Sequence, residues 1–130
     1  MKPNTSLQKE TPNSSTSSGI ISNPKPLNAS GSYDVIVCGS GPAGMGAPLA
    51  CGVEGLRVLL LEQHGILGGM WTAGLVNPLF EFQKKGWLVD ELVETLKNKN
   101  ALHCSKAGFL TFDFKIMKLV LEELCGKYHV

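Results

Sequence analysis

The stretch Tyr33-Asp34-Val35-Ile36-Val37-Cys38-Gly39-Ser40-Gly41-Pro42-Ala43-Gly44 decides the fold of this chain. It opens as an apolar, β-branched run and stops at glycine, the pattern of a strand buried in a parallel sheet. A turn with glycine at its first, third and sixth positions follows. Residues 42–52 read as a helix of small side chains, and Leu56-Arg57-Val58-Leu59-Leu60-Leu61 as a second buried strand closed by Glu62. Strand, glycine turn, helix and strand make one βαβ unit of about 30 residues. The right-handed crossover places its two strands in parallel.

Each glycine of the turn has a physical task. Gly39 permits the tight exit from the strand, Gly41 lets a pyrophosphate approach the backbone, and Gly44 allows helix and strand to pack closely. The helix start offers unpaired N–H groups and a partial positive charge to phosphates. Pro42 suits the first helical turn, where an N–H has no partner anyway. Glu62 lies 23 residues after Gly39, against an offset of about 20 for the acidic residue of dinucleotide-binding units. Its carboxylate would accept hydrogen bonds from ribose hydroxyls and repel a ribose 2′-phosphate. Its neighbours are Gln63 and His64, with no Arg or Lys, so NADP is disfavoured. The competing reading makes Glu62 an ordinary solvated strand-end residue.

Residues 63–81 form a glycine-rich connection with Gly65, Gly68, Gly69 and Gly74, closed by Asn77-Pro78. Long glycine-rich connections in small domains are functional or flexible. Residues 86–99 read as a helix with Leu88, Leu92, Val93 and Leu96 on one face and Asp90, Glu91, Glu94 and Lys97 largely opposite. Residues 98–108 are a connection, and residues 109–112 a short strand. Asp113 is placed to cap a helix over residues 114–125, with Phe114, Met117, Leu121 and Leu124 as its stripe and Gly126 as its C-cap.

Together, D-V-I-V-C-G-S-G-P-A-G (residues 34–44), V-L-L-L-E (58–62) and L-G-G-M-W-T-A-G-L-V-N-P (67–78) resemble the N-terminus of FAD-dependent oxidoreductases of the glutathione-reductase-like superfamily. The resemblance spans residues 33–78, with a weaker echo over residues 112–124. It implies an α/β, Rossmann-like FAD/NAD(P)-binding unit with a parallel sheet, incomplete within this chain. It also implies an extended FAD. Gly39, Ser40, Gly41, Pro42, Ala43 and Gly44 would contact the pyrophosphate, and Glu62 and Gln63 would hold the adenosine ribose. Gly68, Gly69 and Thr72 would run along the pyrophosphate toward the flavin. The second loop is what favours FAD over NAD. Adjacent glycines allow close approach to a ligand, and Thr72 carries a hydroxyl donor.

The chain departs from the family pattern in its first helix and in its extent. Gly46, Pro48 and Gly52 interrupt the first helix, and Pro48 cannot donate to the Gly44 carbonyl. An interior proline costs about 3 kcal/mol relative to alanine, so a kink or a break near Ala47 is expected. The later flavin-binding segments and the substrate region of the family are missing. The expectation is an N-terminal portion of a longer enzyme, incomplete and inactive alone.

Residues 1–32 are rich in Ser, Thr, Asn, Pro, Gly and Lys, with Leu7, Ile20, Ile21 and Leu27 as the sizeable apolar side chains. Such a segment buries too little to offset its ordering entropy, so it is read as a disordered leader before a domain at 33–130. The formal net charge of +1 and the lack of a basic patch favour neither nucleic acid nor an anionic membrane. No apolar run reaches the roughly 18 residues of a membrane span. The leader lacks the apolar stretch of a signal peptide, and also arginine. A cytoplasmic protein is expected, with Cys38, Cys51, Cys104 and Cys125 as reduced thiols and no metal site.

Cys38 is read as a small buried hydrophobe and His64 as an exposed loop residue. His103 and His129 carry no assigned role. Trp71 either packs in the core or lies near a flavin or substrate. Three functions follow: a flavin-mediated oxidoreductase acting on an unidentified small molecule, an NAD-dependent dehydrogenase fragment, or a non-catalytic degenerate dinucleotide-binding module.

Overall fold

The computed structural model describes residues 31–106 and 109–130. All but the last two residues of the expected leader lie outside them. Strand β1 (Val35–Cys38), helix α1 (Pro42–Val53) and strand β2 (Val58–Leu61) form the expected unit. The strands pair in parallel, with Val35 opposite Val58 and Cys38 opposite Leu61. The chain continues through a 3-10 turn (Gly69–Trp71), β3 (Pro78–Leu79), α2 (Trp87–Asn98), β4 (Leu102–Cys104), β5 (Leu110–Phe112) and α3 (Phe114–Lys127).

The β1–β2 sheet is Rossmann-like in connection but is covered on one face. Val35, Val37, Val58 and Leu60 share the face toward α1, because paired residues of a parallel ladder point the same way. Ile36 and Leu61 on the other face are 58% and 47% exposed. The expectation of strands buried on both sides is therefore corrected. With two strands and one helix layer, side-chain alternation leaves every second residue uncovered.

Helix α1 runs unbroken through Pro48, against the expected interruption near Ala47. The Pro48 ring is fully buried beside Met45 and Leu49. Packing of α1 on both strands and on both other helices outweighs the unfavourable local propensity. Gly52 is no defect either. A Cβ there would lie 2.2 Å from the Tyr128 carbonyl oxygen, so glycine allows the C-terminal end of α1 to meet the end of α3.

A second sheet, β3-β5-β4, is antiparallel throughout. Of its strands only β5 was expected, since β3 and β4 fall inside segments that read as connections. They are two and three residues long, too short for a period-2 pattern to register. Pairing with β5 is what makes them strands.

Met45, Leu49, Leu92, Leu96, Phe112, Met117, Val120, Leu121 and Leu124 form the core between α1, α2, α3 and β5. Leu92 and Leu96 of the α2 stripe are buried, with Leu88 and Val93 packed against them. Met117, Leu121 and Leu124 of the α3 stripe are likewise buried.

Asp113 caps α3 as expected, its carboxylate accepting from the backbone N–H groups of Lys115 (2.7 Å) and Ile116 (3.2 Å). Asp113→Ala is expected to remove about 1 kcal/mol of stability, read as a lowered midpoint in thermal denaturation. Gly126 does not end the helix, which continues to Lys127. Residue His129 takes the left-handed conformation instead, at φ 57°. The N–H of His129 donates to Gly126 O (3.5 Å) and that of Val130 to Cys125 O (3.0 Å), the bond pattern of a Schellman cap. The extra turn is held by Lys127 and Tyr128, which both donate to the Glu91 carboxylate on α2. Trp87 meets the Tyr128 ring edge-on, centroids 5.7 Å apart. Among the described residues, no helix is long and apolar enough to cross a membrane.

Candidate functional site: a groove between two glycine turns

The turn leaves β1 through Gly39, whose N–H extends the ladder with a 2.7 Å bond to Leu61 O. Its φ of +94° is a conformation that side-chain-bearing residues rarely adopt. Gly41 sits at the N-cap of α1, and no side chain caps that helix. The first-turn N–H groups of Ala43 and Gly44 have no intrahelical acceptor and lie at the positive end of the helix dipole, next to Gly41 in the groove lining. A Cβ on Gly41 would meet nothing within 4 Å, whereas one on Gly44 would lie 2.0 Å from the Gly39 carbonyl oxygen. The space a ligand needs is thus in front of Gly41, and the tight helix-to-turn contact is at Gly44.

The second glycine turn docks on the first. Gly68 and Gly69 both have positive φ, 102° and 52°. The Gly68 N–H donates to Ser40 O at 2.9 Å, and a Cβ on Gly69 would come within 2.9 Å of the Gly41 Cα. The loop beyond closes on itself through Gly74 N–H to Gly69 O (3.0 Å) and Val76 N–H to Met70 O (2.9 Å).

Glu62 stands at the end of β2 with both carboxylate oxygens engaged. Oε2 accepts from the Ser40 hydroxyl (2.5 Å) and the Ser40 N–H (2.7 Å), and Oε1 accepts from the His64 N–H (2.8 Å). The Ser40 hydroxyl contributes most to holding the carboxyl at a pKa of about 2, with the backbone N–H groups of His64 and Ser40 next. Glu62 is therefore an anion at every physiological pH.

Cys38, Gly39, Ser40, Gly41, Leu61, Glu62, Gln63, His64 and Gly69 line one groove of about 690 Å³. Six of the eleven residues expected at a cofactor are in that lining: Gly39, Ser40, Gly41, Glu62, Gln63 and Gly69. Pro42, Ala43 and Gly44 form the first turn of α1 beside it. Ser40 is fully buried, and its N–H and hydroxyl are spent on Glu62. Gly68 is buried and is not among the lining residues. Thr72 is 1% exposed, and its hydroxyl donates to Leu67 O inside the loop. The structure thus places Thr72 as a brace of the second turn, outside the groove lining.

Cys38, Leu61 and His64 join the lining without having been expected there. Cys38 is exposed, which corrects its reading as a buried hydrophobe. The alternation of β1 contained the signal, since Cys38 shares the outer face with Ile36. Gln63 and His64 contact each other through Nε2 atoms 3.1 Å apart. Trp71 is half-buried and packs against the core, lining an apolar cavity of about 160 Å³ with Pro42, Met45 and Leu92. Among the described residues, no group of three His, Cys, Asp or Glu is placed to hold a metal.

The groove presents two kinds of contact to a ligand. It pairs an open approach over glycine and an uncapped helix N-terminus with a carboxylate that retains acceptor capacity on Oε1.

The chain is similar to several known proteins. A thiamine thiazole synthase of Aeropyrum pernix is 43% identical over 61 residues, covering 45% of this chain and 23% of that protein. A ferredoxin–NADP reductase of Lysinibacillus sphaericus is 34% identical over 71 residues, 48% of this chain and 19% of the relative. A nicotine dehydrogenase of Pseudomonas putida is 54% identical over 51 residues, 38% of this chain and 11% of the relative. The matched segments span less than a quarter of these relatives' lengths. The crystal structure of Thermovibrio ammonificans THI4 shares the fold at a TM-score of 0.51 and 24% identity, over 74% of this chain and 35% of the other. The family model described as FAD dependent oxidoreductase matches residues 34–130, so the chain belongs to the FAD-dependent oxidoreductase family.

Proposed function

We propose that this chain supplies the FAD-binding N-terminal portion of an oxidoreductase that moves electrons through a flavin, with an unidentified small molecule as substrate. The observation that carries this reading is the docking of two glycine turns, Gly39–Gly44 and Gly68–Gly69, through the Gly68 N–H to Ser40 O bond. The backbone around Gly41 and the first turn of α1 would receive the pyrophosphate, with Gly69 on its other side. Glu62 would receive the adenosine ribose, with Gln63 beside it. Bound flavin would supply the electron chemistry, while the protein would orient it and tune its potential. In this reading the groove would take the adenosine and the diphosphate. The activity of a whole oxidoreductase, in this reading, needs segments such as those that make the relatives longer.

Titration of the purified chain with FAD and, separately, with NAD tests this proposal. The expected result is saturable FAD uptake, seen as quenched flavin fluorescence, with weaker NAD binding. Tight NAD binding without flavin uptake would replace it with the dehydrogenase reading, and binding of neither would favour a non-catalytic module.

A further inference from the structure

Ser40 uses every polar group it has inside the groove wall. Its hydroxyl and N–H both donate to Glu62 Oε2, and its carbonyl accepts from Gly68. It is fully buried, so none of these groups competes for solvent. A glutamate at a strand end ordinarily samples several rotamers, and fixing it on binding costs affinity. Two donors on one oxygen, with the His64 N–H on the other, remove that freedom before any ligand arrives. A carboxylate offers about four acceptor positions. Three are filled here, and the one left is on Oε1.

We infer that Ser40 is a positioning residue, which locks Glu62 so that the carboxylate presents a single Oε1 acceptor position to one hydroxyl of the adenosine ribose. The inference rests on reading the groove as a dinucleotide site. It does not depend on whether flavin or nicotinamide occupies the far end. Because Ser40 O also holds Gly68, the same residue sets the spacing between the ribose acceptor and the second glycine turn. Ser40 thereby ties both Glu62, 22 residues further along the chain, and Gly68, 28 residues further along, to the first turn.

The probe is ADP-ribose, which carries the adenosine and diphosphate common to FAD and NAD and keeps a constant diphosphate charge over the range used. Binding to the full chain is measured calorimetrically in a His64→Gln background. That change retains the backbone donor to Glu62 and removes the imidazole ring from the groove lining. Ser40→Ala is expected to weaken binding about tenfold, the loss that follows from deleting a hydrogen bond to a charged group. In a Glu62→Gln background the same change should alter affinity by less than about twofold, because there is no carboxylate left to position. Ser40→Thr, which keeps the hydroxyl, should restore most of the affinity.

The pH profile separates positioning from a merely structural role. With Ser40 present, affinity should hold as pH falls through the ordinary glutamate range near 4.3, because the carboxyl stays ionised. In Ser40→Ala, affinity should decline through that range. Additive effects of the Ser40 and Glu62 changes overturn the inference. So does a decline through the ordinary range with Ser40 intact, an outcome that needs no Ser40 variant to fold. Failure to bind ADP-ribose at all overturns it too. Binding of ADP-ribose without uptake of FAD overturns the flavin proposal alone.

Discussion

Gly41→Asp is expected to abolish dinucleotide binding while leaving the fold intact. Gly41 has φ −61° and ψ 176°, a conformation open to any residue, and a Cβ there meets nothing within 4 Å. The position is the N-cap of a helix that no side chain caps. Aspartate is among the best residues at such a site, so the introduced carboxylate takes up the first-turn N–H groups and supports α1. Those groups are the ones assigned to the pyrophosphate, and the new charge repels it. Two like charges about 4 Å apart near a protein surface interact by about 4 kcal/mol, so a loss of at least about a hundredfold in affinity is expected. Calorimetric titration and a thermal melt on the same sample check both halves. Unchanged affinity would remove the turn from the functional argument.

The glycine at the sixth position of the motif, Gly44, should behave in the opposite way. Gly44→Ala puts a methyl group 2.0 Å from the Gly39 carbonyl oxygen and 2.9 Å from its carbon. Both atoms are backbone, and Gly39 is held by its bond to Leu61, so no flexible side chain can yield. Either α1 moves away from β1 or the turn opens. Overpacking of this kind costs about 3 kcal/mol or more. For a domain of about 100 residues that lowers the melting midpoint by more than about 10 °C. Circular dichroism melts of the two variants side by side are the measurement, and a Gly44→Ala midpoint equal to that of the parent would contradict the packing described here. The pair separates the roles that one motif compresses into three letters, since Gly41 leaves room for a ligand and Gly44 for a helix.

Family membership and geometry bear on different parts of the molecule. The match to FAD dependent oxidoreductases covers residues 34–130 and so includes α2, α3 and the second sheet. The groove is built by residues 38–69. Between the two lies a core in which α1 is the shared element, its inner face on the strands and its flanks on α2 and α3. The turn is thus held in place by packing from residues far along the chain.

What the sequence determined by itself was local. The β1–turn–α1–β2 unit, the α2 and α3 stripes and the Asp113 cap all appear where periodicity and residue type place them. So does the acidic residue at the end of β2, because each of these signals is contained within a few residues of its own position. The tertiary structure alone decided how those pieces meet. It turned Thr72 inward and exposed Cys38. Through pairing with β5 it made strands of residues 78–79 and 102–104, and it carried α1 through Pro48. It carried α3 past Gly126 to Lys127, because Lys127 and Tyr128 find Glu91 on another helix. Above all it bound Ser40 to Glu62 and Gly68. Those bonds join residues 22 and 28 positions apart, and a hydrogen bond across such a distance forms only once packing has brought its two ends together.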